Sequence, residues 1–288
     1  ALLNAVQMSG RVHCLGEIAV KELQQSAEGY GLSLADGRLL NADLIVAADG
    51  AMSRIREWAG FETREWAYGH KAIACTVKSE KAHQDTAWQR FLPSGPLAFL
   101  PLGDTDAESL GDSEKDRYCS IVWSSVPEKA DALMAMEDVE FKLALGEAFE
   151  HTLGNVDAVS KRFCFPLRQR HAIDYFKPGL ALIGDAAHSI HPLAGQGINL
   201  GFQDVTALLK ELGRATERKL SIGDSEVLRR YQRLRKGDNL AMMAAMDGFK
   251  YLFAQDAMPL RLLRNTGMKL LDQVEPIKRQ VIKQAMGL

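Results

Sequence analysis

The sequence predicts an α/β (α+β) protein in which two apolar strands, each ending in a carboxylate turn, flank an antiparallel sheet, with helices at the C-terminal end. Three observations predict this. Residues 179–204, GLALIGDAAHSIHPLAGQGINLGFQD, read as a buried strand at 180–183 and a Gly184-Asp185 turn. A small-residue loop broken by Pro192 follows, and then a helix opened by Gly195, Gly197 and Gly201. Residues 43–56, DLIVAADGAMSRIR, give a second strand at 44–48, an Asp49-Gly50 turn, and Ser53 at a helix start. Between these two segments the chain breaks into short runs of alternating or β-branched residues, the signature of strands joined by turns.

In chain order, residues 1–8 form a helix with Leu2, Leu3 and Val6 apolar, and 18–23, 31–34 and 44–48 are strands. Further strands fall at 71–77, 88–92, 97–102 and 118–124. The acidic Gly, Asp and Ser-containing stretch at 103–117 is expected to be an exposed, disordered hairpin excursion. Residues 137–153 predict an amphipathic helix, 161–167 a strand stopped by Pro166, and 224–288 mostly helix, with Gly223-Asp224-Ser225 as its turn and cap. Arg229, Arg230, Arg233, Arg235 and Lys236, around Tyr231, read as a solvated basic face in preference to a phosphate site.

The chemistry expected of the first segment follows from its residue types. A carboxylate at a strand end accepts hydrogen bonds from a polyol. The free N–H groups and positive dipole of the following helix face whatever negative charge the ligand carries, and glycine lets backbone approach a ligand. The spacing G-x-G-x-x-x-G is not the dinucleotide fingerprint. GDAAHSIHPLAGQGINLG instead resembles the second flavin motif of the single-component FAD-dependent aromatic hydroxylases, the para-hydroxybenzoate hydroxylase class. Within that class it is most similar to the ubiquinone-biosynthesis hydroxylases. The resemblance implies FAD as cofactor, with Gly184 and Asp185 at the ribityl chain and the Pro192 backbone beside the reactive edge of the ring. Gly195, Gln196, Gly197, Ile198 and Asn199 would form the flavin-facing turn.

ADGAMSRIR resembles the family's A-D-G-x-x-S-x-x-R motif, which implies that Asp49, Gly50, Ser53 and Arg56 serve FAD and the NAD(P)H co-substrate; Met52 departs from the asparagine common there. RFLPSGPLAFLPL, at 90–102, is similar to a segment of the ubiquinone branch. The implied fold is the para-hydroxybenzoate-hydroxylase-like FAD-binding fold. Residues 1–65 and 171–215 would be its two cofactor-binding segments, 66–170 an inserted antiparallel substrate sheet, and 216–288 a helical region. The G-x-G-x-x-G turn and ribose-binding acid of such a fold are missing. The chain is therefore expected to be the C-terminal two-thirds of an N-terminally truncated member that holds FAD weakly or not at all.

The implied reaction is ring hydroxylation of a polyprenylated ubiquinone precursor by a flavin monooxygenase using O2 and NAD(P)H through a C4a-hydroperoxyflavin, with no side-chain acid or base assigned. Hydroxylation of a small soluble aromatic acid is the second reading. A non-catalytic fragment with only self-association or partner binding is the third. The methionine- and aromatic-rich run at 240–253 reads first as packing or a subunit contact, whether in a homo-oligomer or a ubiquinone-biosynthesis complex, and second as a lining for a prenyl chain.

Net charge is −2 over 288 residues, which gives no electrostatic case for nucleic acid. There is no signal peptide or long uncharged apolar run, so a cytoplasmic protein, at most peripheral to the inner membrane, is expected. Cys14, Cys75, Cys119 and Cys164 lack C-x-x-C spacing and are expected to be buried, reduced residues. Asp185, His188 and Ser189 are too crowded for a hydrolase triad and no G-x-S-x-G surrounds the serine. His188 and His191 lack a third metal ligand and are expected to pack or support the loop.

Overall fold

The computed structural model describes residues 2–26, 29–103, 115–189 and 197–254, together with 266, 274–276 and 279. Helix α1 (Leu2–Ser9) precedes an antiparallel meander of β1 (Val20–Ser26), β2 (Gly29–Leu34) and β3 (Leu39–Asn41). The chain continues through β4 (Ile45–Ala47), α2 (Arg54–Trp58), β5 (Thr63–Ser79), β6 (Trp88–Leu92), β7 (Gly95–Pro101) and β8 (Tyr118–Ser125). Next come α3 (Pro127–Ala135), α4 (Asp138–Ala148), β9 (Val156–Val159) and β10 (Phe163–Ala172). After β11 (Phe176–Lys177), β12 (Leu180–Leu182) and β13 (His188–Ser189) come the long helices α5 (Gly197–Glu217) and α6 (Ser225–Ala254).

The largest sheet has the order β13-β10-β5-β8-β7-β6, with β9 pairing β5, and its pairs are antiparallel. Because strand side chains alternate, Ile73, Cys75 and Val77 of β5 share one face with Leu97 and Phe99 of β7 and with Ile121 and Trp123 of β8. Helices α3 and α4 cover that face through Ala130, Leu133, Phe141 and Leu145. The opposite face carries Phe163 and Phe165, each about half exposed (50 and 52 %).

A second core surrounds the small sheet β11-β12-β4. Leu180, Ala181 and Leu182 are wholly buried, as expected of a central strand with neighbours on both sides and helices against its faces. Ile45, Tyr175, Leu208, Leu228 and Tyr231 complete that core.

Several sequence expectations need correction. Pro166 does not stop β10, which runs on to Ala172; the pairing with β5 shifts register between Pro166 and Arg168, and such an irregularity accommodates a residue without an N–H. Helix α4 ends at Ala148, short of the expected 153, because Glu150 and His151 take left-handed φ values of 50° and 49°. Helix α3 was not expected, although Pro127 at its first turn was a legible start signal. Cys14 is exposed, not buried, since the segment after α1 packs on neither core. Most of the acidic stretch at 103–117 lies outside the described residues.

Candidate functional site

Strands β4 and β12 run parallel, pairing Ile45 with Leu180 and Ala47 with Leu182. Their C-terminal ends therefore share one edge. Asp49 lies two residues beyond Ala47, and Asp185 three beyond Leu182, so the register brings the two carboxylate turns side by side. The carboxyl ends of parallel strands are where α/β sheets bind ligands.

In the first turn the Asp49 carboxylate accepts from the Ile55 N–H (3.2 Å) and Ser53 Oγ accepts from the Arg56 N–H (3.0 Å). Both cap α2 and satisfy N–H groups that a helix start leaves free. Arg56 is buried; its guanidinium donates to the Ala186 carbonyl (2.8 Å) and the Ala51 carbonyl (2.9 Å). It is a strut between the two turns. Burial first, and the nearby Arg170 cation second, lower its pKa from the ordinary guanidinium value. Arg170, on β10, also donates to the Ala51 carbonyl and pairs with Glu65 at 2.5 Å, which ties the large sheet to the Asp49 turn. Met52 is 78 % exposed; its sulfur is 3.8 Å from the Arg170 guanidinium.

In the second turn Gly184 has φ +56°, a conformation open to glycine, and a Cβ on Gly201 would stand 3.4 Å from the Gly184 Cα. Gly201 thus serves close helix–strand packing. The Asp185 side chain is exposed, and a Cβ on Gly197 would come within 4.0 Å of its Oδ1. The carboxylate therefore lies beside the first residue of α5, with Ile198 exposed and Asn199 half-buried in the same turn. Pro192, Gly195 and Gln196, with His191, lie outside the described residues.

Behind these turns is a buried polar network that the sequence reading missed. Asp204 of α5 has no exposed surface. Its Oδ2 accepts from the Gly184 N–H (2.9 Å) and from His188 Nε2 (2.6 Å), and its Oδ1 accepts from Arg235 Nε of α6 (2.8 Å). Asn239 accepts from Arg235 Nη2 (2.9 Å) and donates to the Tyr175 hydroxyl (3.2 Å). That hydroxyl is 2.9 Å from His171 Nε2, so both rings are satisfied when the Tyr175 O–H donates to a neutral His171. Burial would raise the Asp204 pKa, but the hydrogen bonds from His188, Arg235 and the Gly184 N–H overcome it and hold the carboxyl below the usual range.

Arg235 is thus 5 % exposed and not part of a solvated basic face, whereas Arg229 and Arg233 are exposed as expected. His188 supports the loop as expected, with Asp204 as its carboxylate partner; Ser189 Oγ donates to the Asp185 carbonyl. The Asp224 carboxylate accepts from the Glu226 N–H (2.7 Å), capping α6. Met243 is buried, while the side chains at 245–247 and 249–254 lie outside the description. Among the described residues no acid, histidine and cysteine group could hold a metal ion, and no helix is long and apolar enough to cross a membrane.

His171 carries a pH prediction. Burial, followed by the charges of His188, Lys236 and Arg64, lowers its pKa from 6.5 to about 4. The unfolded chain binds this proton and the folded chain does not. Stability should therefore be full above pH 6.5 and fall as pH drops toward 4, by about 3 kcal/mol in all. Denaturant titrations across that window should show the loss, and His171→Gln should flatten it.

Comparison with known proteins agrees with the resemblance. Residues 11–244 match the FAD binding domain family. The chain is 39% identical over 257 residues to 3-demethoxyubiquinol 3-hydroxylase of Escherichia coli K12, an alignment covering 89% of this chain and 62% of that protein. It is 37% identical over 295 residues to mitochondrial ubiquinone biosynthesis monooxygenase COQ6 of Mus musculus, covering 90% and 59%. The chain thus spans about three-fifths of the length of the curated relatives it matches. The fold matches that of OxyS anhydrotetracycline hydroxylase from Streptomyces rimosus with a TM-score of 0.72 at 23% identity, over 100% of this chain and 55% of that one. The chain belongs to the FAD binding domain family, and the curated relatives it resembles at 36–39% identity include ubiquinone-biosynthesis hydroxylases.

Proposed function

We propose that the protein is a flavin-dependent monooxygenase that hydroxylates the aromatic ring of a polyprenylated ubiquinone precursor with O2 and NAD(P)H. The observation that carries this reading is the pairing of β4 with β12, which sets the Asp49 and Asp185 turns on one sheet edge in a chain similar to ubiquinone hydroxylases. The residues present fit the ribityl and ring half of FAD. Asp185 offers an exposed carboxylate to ribityl hydroxyls. The first turn of α5, at Gly197, Ile198 and Asn199, offers backbone N–H groups and carries no acidic side chain that would oppose an electron-rich ring edge. Asp49, Gly50, Ser53 and Arg56 hold the neighbouring turn, and Gly184 gives the Asp185 turn its left-handed start. Pro192, Gly195 and Gln196 are proposed to complete the ring-facing loop.

Bound FAD supplies the two-electron chemistry that activates O2. This chain's own tasks are to hold the isoalloxazine edge, orient the phenol ring and exclude water. We assign residues 1–65 and 171–215 to the cofactor-binding part, 66–170 to the substrate-binding sheet and 216–288 to a helical region that serves packing or association. A cytoplasmic protein peripheral to the inner membrane suits an insoluble substrate.

The half-exposed Phe163 and Phe165 on the sheet face away from α3 and α4 favour a prenylated substrate over a small aromatic acid. Burying prenyl carbons contributes about 0.8 kcal/mol per methylene. The ratio kcat/KM should therefore rise steeply as the tail of a phenol substrate is lengthened. A flat series would count against a tail site, and preference for an untailed aromatic acid would select that second reading.

A further inference from the structure

We propose that Asp204 is a positioning residue of the flavin site, and that through it helix α6 sets the stance of the Asp185 turn; this rests on Asp185 being the ribityl ligand. The turn is short, and Asp204 grips it at both ends. One carboxylate oxygen accepts from the Gly184 N–H, just before Asp185, and from the His188 ring, just after it (2.9 and 2.6 Å). The third hold is the Arg56 guanidinium on the Ala186 carbonyl (2.8 Å). Asp185 itself stays exposed, so its backbone is clamped from behind while its side chain stays free for a ligand.

The clamp is in turn aimed from α6. Arg235 Nε meets the other Asp204 oxygen at 2.8 Å, and Asn239 holds the far side of the guanidinium (2.9 Å). Tyr231, one turn earlier on α6, donates to the carbonyl of Leu182 (2.7 Å), the last residue of the strand that leads into the turn. Three side chains on one face of α6 therefore reach the strand end and the turn's anchor. A shift of that helix would move Asp185 without touching it. Positions of this kind matter because binding geometry must be held to a fraction of an ångström.

The test is FAD titration of the natural full-length protein, followed by flavin fluorescence and visible circular dichroism. Asp204→Asn cannot accept from donors on both sides and should raise the Kd for FAD about tenfold or more. In an Asp185→Ala background the same change should add nothing, because its effect acts through Asp185. Should Asp204→Asn fail to fold, a second pair carries the test. His188→Gln keeps an N–H donor for Asp204 and should bind FAD within about twofold of the parent, whereas His188→Leu should lose about tenfold and change the flavin dichroism. Additive losses in the double variant, or equal affinities for the two His188 variants, would overturn the proposal. Unchanged affinity in Asp185→Ala alone would overturn the ribityl assignment instead, a separate failure.

Discussion

Arg235→Ala should lower the stability of the folded chain by about 3–5 kcal/mol, because it leaves the Asp204 carboxylate buried without its cation. Asp204 has no exposed surface and Arg235 is 5 % exposed, so solvent cannot take the place of either partner. For a chain of this size the change should move the thermal midpoint down on the order of 10 °C. The sign of its pH dependence is fixed by the pairing. In the parent the Asp204 pKa is depressed, so its stabilisation is present above the unfolded value and is lost as pH falls through the folded one. Without Arg235 the carboxyl should take up a proton at higher pH. Asp204→Asn introduced into Arg235→Ala should then recover part of the loss, since a neutral amide costs less to bury than a lone charge. Thermal melts of the three variants check this; additive losses would argue against a coupled pair.

Asp185→Ala should leave the fold intact and raise the Kd for FAD about ten- to a hundredfold, the worth of one or two hydrogen bonds to a charged acceptor. The first half follows from its exposure: no described residue donates to the Asp185 side chain, so removing it strands no partner. The second half follows from its place beside the first residue of α5 at the shared edge of β4 and β12. Flavin content after gel filtration of the natural full-length protein reports the loss, and unchanged content would refute the assignment.

Much of this arrangement was legible in the sequence because it is local. A strand, an Asp-Gly or Gly-Asp turn and a helix start follow one another within a few residues at both 43–56 and 179–204, and the parallel pairing of the two strands needs only that they share a core. Strand β6 was delimited correctly for the same reason, with Pro93 closing it. What was not legible is non-local. Asp204 falls on the buried stripe of α5 with Leu200, Leu208 and Ala215, and Arg235 and Asn239 fall on that of α6 with Leu228 and Tyr231. A lone acid on one core stripe and a lone base on another are a signal that they meet, since neither is stable buried alone. Arg235 sits in a run of basic residues that masked it as surface. The path of β10 past Pro166 depends on a register shift against β5, which a strand's own residues do not announce.

The central claim, flavin-dependent ring hydroxylation of a prenylated phenol, is tested most directly by product analysis. The natural full-length protein, loaded with FAD and supplied with NAD(P)H, isotopically labelled O2 and a polyprenylated phenol, should yield a ring-hydroxylated product that carries one labelled oxygen atom. Absence of label from the ring, or NAD(P)H oxidation that proceeds without any hydroxylated product from tailed phenols, would contradict the account.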